Sequence, residues 1–203
     1  MSLGEAHGTT ASAVAALVIP EHHRLRSKTE QFIRKIYCEE YGARLGGFPA
    51  SLIALLDEQG DILCAAGLRF PDEGFFSERY LDWPIEKALE RVHGRGVRRE
   101  RVFEVTTFAS RSPHSVPWFI GQIVEYGEEA GFEWAFFTLT RRLSLLLYRI
   151  GLELAPLGAA DCARIENLAS WGSYYEAAPE VYAINRDSLT KRFAARRRLV
   201  ANA

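Results

Sequence analysis

Polar and apolar positions alternate along this chain in two distinct rhythms, and the switches between them outline its elements. In "EHHRLRSKTEQFIRKIYCEEYG", 21–42, Leu25, Phe32, Ile33, Ile36 and Tyr37 recur at three-, four- and seven-residue steps. That spacing predicts an amphipathic helix, closed by Gly42 and the glycine pair that follows. "ASLIALLDEQGDILCAAGLRF" gives two apolar runs around a polar, glycine-containing turn, hence a hairpin of strands 51–57 and 61–70. Residues 71–83 are irregular and rich in aromatics, and Pro84 can open a helix over "IEKALERV". Strand 101–109 comes after a glycine-marked connection. A helix then runs to Gly131, with Ser112 as the expected N-cap, Pro113 as its first residue, and Pro117 able to delay the start by a turn.

"FEWAFFTLT", 132–140, is a dense aromatic and β-branched run, predicting a buried strand. "RRLSLLLYRIG" predicts a helix ended by Gly151, "LELAPLG" a further strand, and "VYAIN" the last. The order α-β-β-α-β-α-β-α-β-β, hairpins early and crossovers late, predicts an α/β (α+β) fold: a mixed sheet flanked by helices. No internal repeat or linker breaks the chain. The expectation is one domain over 13–203 behind a disordered leader, 1–12.

The chain has 203 residues, 48% apolar and 25% charged, with net charge −1. That is a soluble globular composition long enough for a real core, without the basic field that nucleic-acid binding needs. The single basic run, "KRFAARRR", 191–198, predicts a solvated face or tail. Cys38, Cys64 and Cys162 are odd in number and show no ligand spacing, so reduced thiols and a cytoplasmic setting are expected. "AVAALVI" is too short to span a bilayer, and no stretch reaches the length of a transmembrane segment. No HExxH, GxSxG, GxGxxG or Walker pattern occurs, and no metal site is expected.

Three places invite chemistry. Glu104 lies inside strand 101–109, on the face opposite Phe103 and Val105. Burial there would raise its pKa and make it a proton acceptor; facing solvent or paired with Arg69 or Arg101, it would be merely structural. "FFSERYLDWPIE", 75–86, gathers Glu78, Arg79, Asp82 and Glu86 among Phe75, Phe76, Tyr80 and Trp83. That set could surround an amine-bearing ligand, or could cover the sheet with its charges in water. Arg69, at a strand end, could clamp a carboxylate or form a weak surface pair. Trp171, Tyr174 and Tyr175 could line a pocket, though aromatics more often fill cores.

The motifs "ERYLD.PIE", "GFEW..FT.T" and "WGSYYE", within a pattern covering residues 37–185, resemble the thermostable hemolysin family. More distantly, "FEVTTFAS" and "YRIGLELAPLG" resemble the acyl-homoserine-lactone synthases, a branch of the GCN5-related N-acyltransferase fold. The resemblance implies an N-acyltransferase that moves an acyl group from a thioester to the amine of a small molecule such as an amino acid. Strands 101–109 and 133–140 would splay to admit the pantetheine arm, and backbone N–H groups at the gap would hold the oxyanion. It implies Glu104 as base, directly or through a water. Arg69, Glu78, Asp82, Arg44 and Tyr80 would bind the acceptor, and Thr106, Thr107, Phe108 and Arg111 the donor.

Two departures matter. "ASRSPHSVPWF" lacks the glycine loop with which coenzyme A-dependent members bind pyrophosphate, which favours an acyl carrier protein over coenzyme A as donor. "TTF", 106–108, lacks the arginine of the synthases, so S-adenosylmethionine is not carried over. No tightly bound cofactor is implied; the co-substrate is acyl carrier protein or coenzyme A thioester. A membrane-active toxin, or a non-catalytic binder on the same fold, stays open as an alternative. The sequence shows no spanning helix or cationic amphipathic face to support the first.

Overall fold

The computed structural model describes residues 15–188. The expected leader and the 191–198 basic run lie outside the described residues. Seven strands form one sheet in the order β1-β2-β3-β4-β5-β7-β6. They are β1 (Leu17–Ile19), β2 (Ser51–Leu56), β3 (Ile62–Arg69), β4 (Val102–Ser110), β5 (Trp134–Leu139), β6 (Ala155–Ala159) and β7 (Glu180–Asn185). Every pair is antiparallel except β4 with β5. Among the described residues four α-helices cover the sheet: α1 (Arg26–Tyr41), α2 (Ile85–His93), α3 (Val116–Glu129) and α4 (Arg141–Ile150). The expected mixed α/β class is therefore the observed one.

Strand alternation assigns each face its helices. Phe103 and Val105 of β4, Phe137 and Leu139 of β5, and Tyr182 and Ile184 of β7 bury against α3 and α4. Val102, Phe136, Val181 and Ala183 point the other way, towards α2 and the aromatic 75–80 segment. Beside them α1 packs Phe32, Ile33 and Tyr37 on Leu52 and Ala54. α3 sits close on β4: a Cβ on Gly127 would stand 2.9 Å from the Phe103 ring.

Two expectations shift. β1, which the sequence hid in a short apolar stretch, pairs Leu17–Ile19 with β2. The Ser112 side chain caps nothing; Pro113–Ser115 form a 3-10 turn and α3 starts at Val116, with Pro117 in its first turn. A proline has no N–H to give to the helical ladder, so the start slides to where its absence costs nothing.

The central pair of strands parts midway. β4 and β5 are in register only from Val102↔Trp134 to Val105↔Phe137, although each strand continues beyond. At that point β4 bulges against β3: Gly67 faces Thr106 and Ala65 faces Ala109, leaving one residue too many on β4. Thr107 takes φ 46° there, a conformation unusual for a β-branched residue and one that bends the strand away from its neighbour. The bulge also reverses the side-chain alternation. Thr106 stays on the Glu104 face, whereas Phe108 turns to the α3 side and packs on Phe119.

Candidate active site

The parting of β4 and β5 leaves a cavity on each face of the sheet. On the α1 side lies a cleft of about 690 Å³. Its floor is Arg69, Val105, Thr106, Thr107 and Thr138; its walls are the 44–49 loop, residues 76–80 and residues 165–174. On the α3 side lies a narrow apolar cavity of about 60 Å³ among Phe103, Phe108, Ile120, Phe137, Leu143 and Leu147. Val105 and Thr138 line both, so the two spaces flank the same point, where the strands separate.

Glu104 lies directly beneath the cleft and is 0% exposed. It sits opposite Arg69 in the β3–β4 register. Its Oε2 accepts from Phe76 N–H at 2.6 Å and its Oε1 from Ser77 N–H at 2.8 Å. It thereby fastens the start of the 3-10 turn Ser77–Tyr80. Burial raises its pKa above the ordinary 4.5, against the pull of the Ser77 hydroxyl, those two N–H groups and the Arg69 charge. The Ser77 hydroxyl also accepts from Thr138 Oγ1 at 2.7 Å. A chain of hydroxyls thus joins the shared rim of the two cavities to a buried carboxylate.

The residues proposed from sequence separate into three groups. Arg69, Arg44, Tyr80, Thr106 and Thr107 line the cleft. Tyr80 is fixed by a 2.6 Å bond between its hydroxyl and that of Tyr175, and Phe108 faces the apolar cavity instead. Glu78, Asp82 and Arg111 line neither space. Glu78 is held by both Arg99 amino groups, at 2.6 and 2.9 Å, and accepts from Ile85 N–H at the start of α2. Burial alone would raise its carboxyl, but Arg99 and the Ile85 N–H hold it below the usual value. Asp82 is exposed and pairs with Arg164. Arg111 lies over the Phe32 ring, 5.6 Å from its centroid. Glu78 and Asp82 are thus engaged outside the cleft by partners distant in sequence.

Sequence reasoning passed over Ser77 and Thr138 as a pair, because they meet only through the fold. It also passed over the 46–49 loop, and it read Trp171 and Tyr174 as core more readily than as wall. Arg79, stacked 4.1 Å above the Phe76 ring, adds a cation to the rim. Cys64, buried beside Ser110, has its thiol pushed up to about 12 by burial. Among the described residues no group of three His, Cys, Asp or Glu is placed to hold a metal ion, and no helix is long and apolar enough to cross a membrane.

A family model described as thermostable hemolysin matches residues 19–189. No curated protein sequence matches the chain. Several solved structures share its fold. The acyl-homoserine-lactone synthase LasI aligns with a TM-score of 0.60 at 10% identity, over 90% of this chain and 94% of its own. FeeM, an N-acyl amino acid synthase from uncultured soil microbes, gives 0.60 at 15% identity, over 91% and 97%. MesI, a CoA-dependent acyl-homoserine lactone synthase, gives 0.55 at 16% identity, over 93% and 95%. At such identities the likeness establishes the shared fold.

Proposed function

Within the thermostable hemolysin family, to which this chain belongs, we propose that it works as an N-acyltransferase, moving an acyl group from a thioester to the amine of a small molecule. The observation that carries this reading is the gap beyond Val105 and Phe137, with a cavity on either face and a buried carboxylate wired to its rim. The synthases that share the fold give the reaction class its support.

In this reading the acyl chain lies in the apolar cavity and the thioester carbonyl sits at the Val105–Thr138 rim. The pantetheine arm runs along the free edge of β4. The acceptor amine waits in the cleft. Attack on the carbonyl forms a tetrahedral oxyanion, which backbone N–H groups at the parted strands stabilise. The amine must shed a proton. Thr138 Oγ1 accepts it while passing its own proton to Ser77 Oγ, and Ser77 passes its proton to Glu104. Both Glu104 oxygens face backbone N–H groups under the cleft floor, so the carboxylate acts through these hydroxyls. Collapse of the intermediate expels the thiolate, which takes up the released proton.

The donor is an acyl carrier protein thioester in preference to coenzyme A. The segment before α3 is a 3-10 turn opened by Pro113, and Pro117 occupies the first turn of α3, in place of a glycine loop that could cradle a pyrophosphate. The test is incubation of the protein with matched acyl carrier protein and coenzyme A thioesters and a panel of small amines, read by mass spectrometry and by release of free thiol. An N-acyl product and one thiol per turnover are expected, faster from the carrier protein. If no donor gives product above the protein-free rate, the acyltransferase reading is wrong; faster turnover from coenzyme A overturns the donor assignment alone.

A further inference from the structure

We infer that the acceptor is an α-amino acid whose carboxylate is held by Arg69 and whose apolar side chain rests against Phe48, Trp171 and Tyr174. The inference rests on the acyl-transfer reading for its use, but not for the binding itself. Arg69 ends β3 directly opposite Glu104. Its Nε is buried and has no hydrogen-bond partner, and the same holds for Thr106 Oγ1 and Thr107 Oγ1. All three residues line the cleft floor. A buried polar atom left unpaired is costly, so three in one wall point to a ligand that completes them.

The chemistry of that ligand can be read from the donors. A guanidinium has N–H groups in a rigid fork and no acceptor, so the matching group accepts hydrogen bonds at two oxygens: a carboxylate. The charge balance agrees. Arg44, Arg69 and Arg79 line the cleft against a single carboxylate, Glu166. Position sets the rest. Arg69 and Glu104 are cross-strand neighbours on one face, and the hydroxyl chain brings Glu104's basicity to Thr138 beside them. Amine and carboxylate must therefore lie close together, as they do when one carbon bears both. Thr106 has room beside Arg69 only because residue 67 is glycine; a Cβ there would press on Thr106 Oγ1 and stand 2.8 Å from Pro49. The side chain of the ligand is left facing the aromatic wall.

The test is calorimetric binding to the full chain without any acyl donor. L-phenylalanine and L-leucine are compared with phenylethylamine and isopentylamine, which lack only the carboxylate. Each amino acid is expected to bind at least about tenfold more tightly than its amine. Arg69→Gln should abolish that preference, and Arg69→Lys, which keeps the charge but loses the fork, should leave part of it. Equal binding of acid and amine, no binding of either amino acid, or a preference that survives in Arg69→Gln overturns the inference. The two readings fail differently. Acylation of simple amines in preference to amino acids removes this inference and leaves acyl transfer standing. Tight amino-acid binding with no acylation from any thioester does the reverse.

Discussion

In the proposed acyl transfer, Glu104→Gln is expected to lower turnover by about 10²-fold or more, because an amide could not take the proton that Ser77 would deliver. The same change weakens the fold. Wild-type Glu104 accepts from Phe76 N–H and Ser77 N–H with its two oxygens, whereas glutamine offers one oxygen and one NH₂. One donor is then left facing another in a site closed to water, at a cost of about 1–3 kcal/mol. pH separates the two effects. Burial raises the folded-state pKa of Glu104 above the unfolded 4.5. Its contribution to stability is therefore fully present below about 4.5, and is lost as pH rises from there through the folded value. Urea unfolding at stepped pH should show that decline in the wild type and a flatter profile in Glu104→Gln. An unchanged turnover number would remove Glu104 from proton transfer. An unchanged pH profile would mean that its pKa does not differ between the two states.

Gly172→Ala has the largest expected effect on stability, about 3 kcal/mol or more. Gly172 adopts φ 54° and ψ −129°, and a Cβ there would press into the Tyr41 carbonyl oxygen and lie 2.9 Å from the Gly42 carbonyl carbon. Backbone cannot yield as a side-chain tip can. The contact is the clip that holds the aromatic wall. Ser173 N–H donates to Tyr41 O at 2.8 Å, and Arg44 N–H donates to Ser170 O at 2.6 Å. Tyr174 then stacks with Tyr37 and meets Tyr41 edge-on. Pushing residue 172 off the end of α1 swings Trp171 and Tyr174 away from the cleft. Urea unfolding should show the loss directly, and KM for the acceptor should rise more than kcat falls. A variant as stable as the wild type would show that the wall can shift without this clip.

Much of the fold could be read from periodicity. The β2–β3 hairpin, β4, β5 and the Gly151 end of α4 are local features, and local rhythm reports them. β1 could not be read, because three residues give no rhythm and are defined by their pairing with β2. The bulge was hidden for a different reason: Thr107 adopts a conformation that its residue type does not advertise. That hid the turning of Phe108 as well, since plain alternation would have left it beside Thr106.

The site was legible where a strand alone decides the matter. Glu104, fixed by alternation, and Arg69, fixed by its strand end, stand where those arguments place them. Glu78 and Asp82 lie outside the cleft, and a short run of charges does not say who will claim them. Arg99 and Arg164 do, from 21 and 82 positions along the chain. Ser77 and Thr138 meet across 61 positions, so only the assembled sheet reveals them.

The two cavities on either side of Val105 and Thr138 also constrain the kinetics. In the proposed reaction the two co-substrates lie on opposite sides of the sheet, so neither would need to leave before the other arrives. Nor does Cys64 offer itself as an intermediate acyl carrier: it is shut in with Ser110, and burial pushes its thiol up to about 12. Both substrates should occupy the protein together, and double-reciprocal plots at several fixed concentrations of the second substrate should intersect. Parallel lines would mean that the acyl group is parked on the enzyme between two half-reactions.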